Sequence, residues 1–292
     1  MSAAAWTREW PYAPHHLTTP AGRIHYVDEG HGGAPMLCVH GNPTWSFYWR
    51  RLIQSFSGSR RVVALDHVGC GLSDKPQDWS YRLADHVENV VRLVEHLDLR
   101  DITLVVHDWG GAIGLGMATR LPDRIGRIVV LNTAAFPFDR IPARIAVCRV
   151  PGLGALLVRG LNGFARAAVF MATEKGLSPD AAAGLVAPYH SWNDRIATLR
   201  FVEDIPMDSG HASWPELQRI ADGLSLLKTR PMLIIWGEED WCFTPAFREE
   251  WQRRFPDAEV HPLNGVGHYV MEDAADEVIR LLHPFLASEA PR

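Results

Sequence analysis

Short, almost uninterrupted apolar runs recur along the chain at 24–27, 36–39, 62–65, 102–106, 128–131, 232–236 and around Val260, and amphipathic stretches separate many of them. Runs that are apolar at every position predict strands buried on both faces. Their alternation with helical stretches predicts a mostly parallel sheet covered by helices on both sides. The clearest helix is predicted over 81–97, where Leu83, Val87, Val90, Val91, Val94 and Leu97 fall at spacings of three and four, with Glu88, Asn89, Arg92, Glu95 and His96 largely off that stripe. Between about Ala134 and Lys228 the strand pattern stops, and helical pieces broken by Pro142, Pro151, Gly152, Gly154, Gly160, Pro179 and Pro188 take over. This predicts a helical cap, residues 134–228, inserted into a core of residues 1–133 and 229–292. There are no internal repeats or low-complexity tracts, and the terminal SEAPR is expected to fray.

Composition narrows the classes of function. The 292 residues carry 34 acidic against 29 basic side chains, a net charge of -5, which offers no basic field to nucleic acid. Cys38, Cys70, Cys148 and Cys242 are far apart with no C-x-x-C pair, so neither a zinc site nor a disulfide framework is expected, and a reducing cytoplasm is. No metal and no cofactor are expected. MSAAAWTREWPYAPHH has no basic stretch leading into an apolar one, and no run approaches the about 18 apolar residues of a membrane span. The 11 Trp and 11 Phe against only 6 Tyr favour rings with little hydrogen-bonding capacity.

Four segments carry chemistry. In ITLVVHDWGGAIGLG a strand runs into a helix through a polar residue followed by glycines, the shape of a turn that lifts one side chain above the sheet, and Asp108 occupies that position. A plain helix cap is the alternative for Asp108 taken alone. The segment CVHGNPTW resembles the His-Gly loop that supplies anion-stabilising donors in α/β-hydrolases, with Asn42 adding a side-chain amide. The strand LIIWGEED ends in acids, of which Asp240 is the candidate partner of a histidine, with Glu238 and Glu239 as alternatives. NGVGHY places His268 in a glycine-rich loop after the last strand. The order Asp108, Asp240, His268 is that of nucleophile, acid and histidine in this fold. A carboxylate needs no base to attack an electrophilic carbon, and water activated by His268 could then hydrolyse the ester. Trp109 adds an uncharged indole N–H beside Asn42, giving two neutral donors for a leaving anion.

On HGNPTWSFYWR, DHVGCGLSDKP, VVHDWGGAIG, WGEED and GVGHYVMED, the chain resembles the haloalkane dehalogenase family of α/β-hydrolases nearly end to end. The resemblance implies an eight-stranded sheet, Asp108 as nucleophile, His268 as base, Asp240 as its acid, and Asn42 with Trp109 as the halide-stabilising pair. Relatives with the acid after the sixth strand carry Glu there, whereas this chain has Asn132. NTAAFP and APYHSWNDRIATLRFVEDIP are similar to the third dehalogenase subfamily, which includes the β-lactone decarboxylases of olefin biosynthesis. That likeness implies decarboxylation of a cis-β-lactone to an alkene through an Asp108 adduct, with hydrolytic haloalkane dehalogenation as the alternative and a non-catalytic binding protein as a remote one. It also implies possible association with other olefin-pathway enzymes or self-association. Epoxide hydrolases usually use two cap tyrosines, and Tyr189 is the only tyrosine between Asn132 and Arg230. Phe136, Phe138, Phe164, Phe170, Trp192 and Phe201 are expected to line an apolar substrate pocket. Arg140, Arg144, Arg149, Arg159 and Arg166 are read as a solvated helix face rather than a partner surface.

Overall fold

The computed structural model describes residues 5–288; the expected fraying of SEAPR falls, for 289–292, outside the described residues. Eight strands form one sheet in the order β1-β2-β4-β3-β5-β6-β7-β8. They are β1 (His15–Thr19), β2 (Gly22–Glu29), β3 (Met36–Val39), β4 (Val62–Leu65), β5 (Ile102–Asp108), β6 (Ile125–Thr133), β7 (Met232–Gly237) and β8 (Glu259–Leu263). The pairs β1/β2 and β2/β4 are antiparallel and the others parallel. The continuous apolar runs have a simple cause. Ile128 and Val130 of β6 and Ile234 of β7 face one core, while Val129, Leu131, Leu233 and Ile235 face the other, so both sides of the pleat are buried.

The sequence missed β1. HHLTT is mostly exposed at the sheet edge and carries no apolar run, so its pairing with β2 rather than its composition makes it a strand. The predicted helix begins at Leu83, two residues late, because Tyr81 has φ 55° and Arg82 is extended. Its first turn is closed from outside: Asp204 accepts the Leu83 amide at 2.8 Å, the Arg82 guanidinium at 2.7 Å and the Ser213 hydroxyl. Asp204 therefore ties the segment after β6 to the core.

No strand interrupts the chain between β6 and β7. The helices Gly163–Met171, Pro179–Val186 and Ile196–Glu203 lie in this stretch, with shorter turns before them. Its last α-helix, Trp214–Gly223, packs with the core layer: Leu217 and Ile220, with Leu224 in the short turn that follows, join the cluster that covers β6 and β7. No single described helix is long and apolar enough to cross a membrane.

Candidate active site

Asp108 ends β5 with φ 52° and ψ −127°, a backbone conformation that non-glycine residues rarely adopt. The neighbouring chain holds it there. The Thr133 hydroxyl donates to the Asp108 carbonyl, and Thr133 is itself fixed by the Trp251 indole, 2.7 Å from its carbonyl. Gly110 and Gly111 allow the close approach, since a Cβ on either would overlap the Val39 carbonyl or the Thr133 side chain. The turn aims the Asp108 carboxylate at the loop after β3, where the Asn42 amide donates to Oδ1 at 2.6 Å and the Trp109 amide also donates to the carboxylate.

Burial pushes the Asp108 pKa above the ordinary carboxylate range, although the His268 ring and the two amides pull the other way. With Oδ1 tied to Asn42, Oδ2 faces His268 Nε2 at 3.6 Å. On the far side of that ring, Nδ1 lies 2.8 Å from Asp240 Oδ2. Burial lowers the His268 pKa, but the Asp240 carboxylate, helped by Asp108, outweighs it and leaves the pKa raised. Of the three candidate acids, Asp240 therefore meets the ring. Glu238 pairs with Arg248 at 2.8 Å, and Glu239 receives the Val266 amide.

Asn132 matters more than its sequence reading, which treated it only as a missing Glu. Its Nδ2 donates to Asp240 Oδ2 at 3.0 Å, and its Oδ1 accepts the Gly237 amide at 2.7 Å. The Cys242 amide completes the hold on Asp240 from the other oxygen at 2.7 Å. Beneath the site, His107 Nε2 lies 2.8 Å from the His268 carbonyl, and burial followed by the neighbouring His268 keeps its pKa well below the ordinary value. Nothing in the spacing of the sequence marked these supports, because they come from strand ends brought together only by the sheet.

The carboxylate opens into a cavity of about 380 Å³. Asn42, Asp108, Trp109 and His268 lie on its polar side, and most of its remaining wall is apolar. Asn42 Nδ2 donates one hydrogen to the Thr198 carbonyl at 3.1 Å, leaving its second hydrogen unused. Phe136, Phe138 and Phe164 line the cavity.

Three expected pocket residues do not. Phe170 is 82% exposed on the outer side of its helix, because Phe164, Ala167, Ala168 and Met171 take the inner face. Trp192 is exposed under the Arg159 guanidinium, 4.6 Å away. Phe201 is buried in the core, stacked on His86 at 4.5 Å and behind Trp109 at 5.2 Å. Nor do the arginines form one solvated face. Arg140 and Arg144 reach the cavity rim, and Arg149 and Arg159 bond the Ile205 and Trp192 carbonyls.

A Cβ on Gly41 would overlap the Asp108 carboxylate. Displacing a reacting group by about 1 Å costs on the order of 100-fold in rate. Gly41→Ala is therefore expected to lower turnover at least that much with an unchanged far-ultraviolet circular dichroism spectrum, and near-normal turnover would refute the packing argument.

Comparison with known proteins gives a consistent result. The family model of the alpha/beta hydrolase fold matches residues 34–275. The chain is 41% identical to a cis-3-alkyl-4-alkyloxetan-2-one decarboxylase of Shewanella oneidensis, over 94% of this chain and 89% of that protein. It is 34% identical to haloalkane dehalogenase 2 of Mycobacterium bovis, over 92% of this chain and 93% of that one. The crystal structure of a haloalkane dehalogenase from Agrobacterium tumefaciens C58 superposes with a TM-score of 0.84 at 29% identity, covering 94% of this chain and 96% of the other.

Proposed function

This chain belongs to the α/β-hydrolases, in the family that holds the haloalkane dehalogenases and the cis-3-alkyl-4-alkyloxetan-2-one decarboxylases, and on that premise we propose that it converts a cis-3,4-dialkyl β-lactone to a cis-alkene and carbon dioxide. The observation that carries the reading is the pairing of a buried carboxylate, held at Oδ1 by the Asn42 amide with Oδ2 facing His268, with a largely apolar cavity. The greater identity to the named decarboxylase supports it.

Asp108 Oδ2 attacks ring carbon C4 on the side opposite the ring oxygen. The C4–O bond breaks, and the oxygen departs as part of a carboxylate on C3, received by the free Asn42 Nδ2 hydrogen and the Trp109 indole N–H. Inversion at C4 leaves the Asp108 ester anti to that carboxylate with both alkyl arms on the same side. The C3–carboxylate bond then breaks, its electron pair forms the double bond, and Asp108 leaves as a free carboxylate. Carbon dioxide and the cis-alkene are the products, and no water is consumed. Asp240 orients His268, whose ring stabilises Asp108 as it departs. The apolar wall houses the arms, each buried methylene contributing about 0.8 kcal/mol. The four free cysteines fit the reducing cytoplasm we propose for the protein.

The second reading is haloalkane hydrolysis, favoured by the same donor pair. Halide would leave in place of the lactone oxygen, and water activated by His268 would hydrolyse the ester. Proton NMR of a synthetic cis-dialkyl β-lactone incubated with the protein separates the two. One cis-alkene per lactone is expected. Intact lactone alongside rapid halide release from bromoalkanes would overturn the decarboxylase reading.

A further inference from the structure

The segment 140–173 holds five arginines, Arg140, Arg144, Arg149, Arg159 and Arg166, and no acidic residue, in a chain whose net charge is -5. It also concentrates exposed apolar side chains: Val147, Val150, Leu153, Leu156, Leu161 and Phe170 are all at least 40% exposed. Exposed apolar groups of this size carry a hydration cost, and their concentration in one segment marks an interaction surface. Trp192 joins this face through the Arg159 guanidinium stacked over it.

The inner face of the segment is already used. Leu157, Phe164 and Met171 line the cavity, so what remains free is the outer side, and Arg166 and Phe170 stand one turn apart on it. The two longest pieces, Leu153–Gly160 and Gly163–Met171, meet at 69° and so form no spanning rod. Arginines interspersed with leucine, phenylalanine and tryptophan on a surface-lying helical segment are the chemistry of attachment to an anionic bilayer. The apolar groups enter the interface and the exposed guanidinium groups of Arg140, Arg144 and Arg166 meet lipid phosphates, while Arg149 and Arg159 keep their bonds to the Ile205 and Trp192 carbonyls and add only their charge.

We propose that the outer face of residues 140–173 docks on an anionic lipid surface. A two-fold contact between copies would set these arginines against one another, so the charge of the segment favours anionic lipid over that pairing. Because the same segment walls the cavity, docking sets the cavity beside the membrane, where a two-armed hydrocarbon would partition. That consequence rests on the function proposed above, whereas the docking does not.

The test needs no substrate. The full chain is sedimented with vesicles of phosphatidylcholine alone and with vesicles of equal parts phosphatidylcholine and phosphatidylglycerol, at low and raised salt. Co-sedimentation with the anionic vesicles alone, weakened by salt, is expected, each arginine at the surface being worth about fivefold in partition. Leu156→Glu/Phe170→Glu is expected to weaken it about tenfold or more with an unchanged thermal unfolding midpoint, both side chains being exposed. No vesicle binding by the wild type, or equal binding by the double variant, would overturn the proposal. So would a wild-type dimer by light scattering that the double variant dissolves while neither binds vesicles, which would make this face a contact between copies.

Discussion

Asp108→Asn is expected to lower both lactone and bromoalkane turnover by about 10⁴-fold or more, because the amide oxygen cannot form the ester through which either reaction passes. The substitution tests chemistry rather than folding. Asn has the shape of Asp and is among the residues best suited to the positive φ of 52° found here. Stability should not suffer. Burial has raised the Asp108 pKa, so in the native state the charged form is disfavoured, and near neutrality the ionised carboxylate costs stability that the neutral amide does not. A thermal midpoint at or above that of the wild type, with turnover gone, is the predicted pair of results. Retention of turnover would remove Asp108 from its proposed role.

The second large effect separates the two reactions. His268→Gln is expected to slow bromoalkane turnover by about 10³-fold and to leave a stable alkyl ester on Asp108, visible as one added alkyl mass per chain in intact-protein mass spectrometry. Decarboxylation as proposed consumes no water, so lactone turnover should fall by only about tenfold, with no trapped adduct. The pH profile supplies the sign. Asp108 must be deprotonated to attack, and its raised pKa places the acid limb above the ordinary carboxylate range. The His268 ring pulls that pKa down, so removing it should move the limb to still higher pH. A trapped lactone adduct in His268→Gln would show that water, activated by this ring, normally completes the lactone reaction.

How much of this could be read from the sequence depends on the distance over which each feature is decided. The strands at 36–39 and 62–65 are apolar at every position, and their local composition was sufficient. The meeting of Asp108, Asp240 and His268 was legible because each lies at the end of a strand or in the loop just after one, flanked by glycines or acids. Three features were not. The β1 strand depends on its partner β2, the hold of Asn132 on Asp240 spans 108 positions, and the facing of Phe170 and Trp192 depends on which side of a short helix or turn meets the core. An aromatic residue in a helix of alanines gives no local sign of that choice. Phe164 and Phe170 lie on the same helix, and only its packing sends one into the cavity and the other outward.

The single side chain of Asp204 receives bonds from Arg82 and the Leu83 amide on one side and Ser213 on the other, while the helix Trp214–Gly223 is built into the core layer. The covering segment is therefore riveted to the core, and the Trp45 indole bonded to the Gly184 carbonyl and the Trp241 indole bonded to the Met171 carbonyl tie it at further points. Its melting is expected to be coupled to that of the sheet, so that the cover and the proposed base His268 are lost in one cooperative step. Traffic through the cavity is therefore expected to depend on small side-chain excursions rather than on a lid that swings clear.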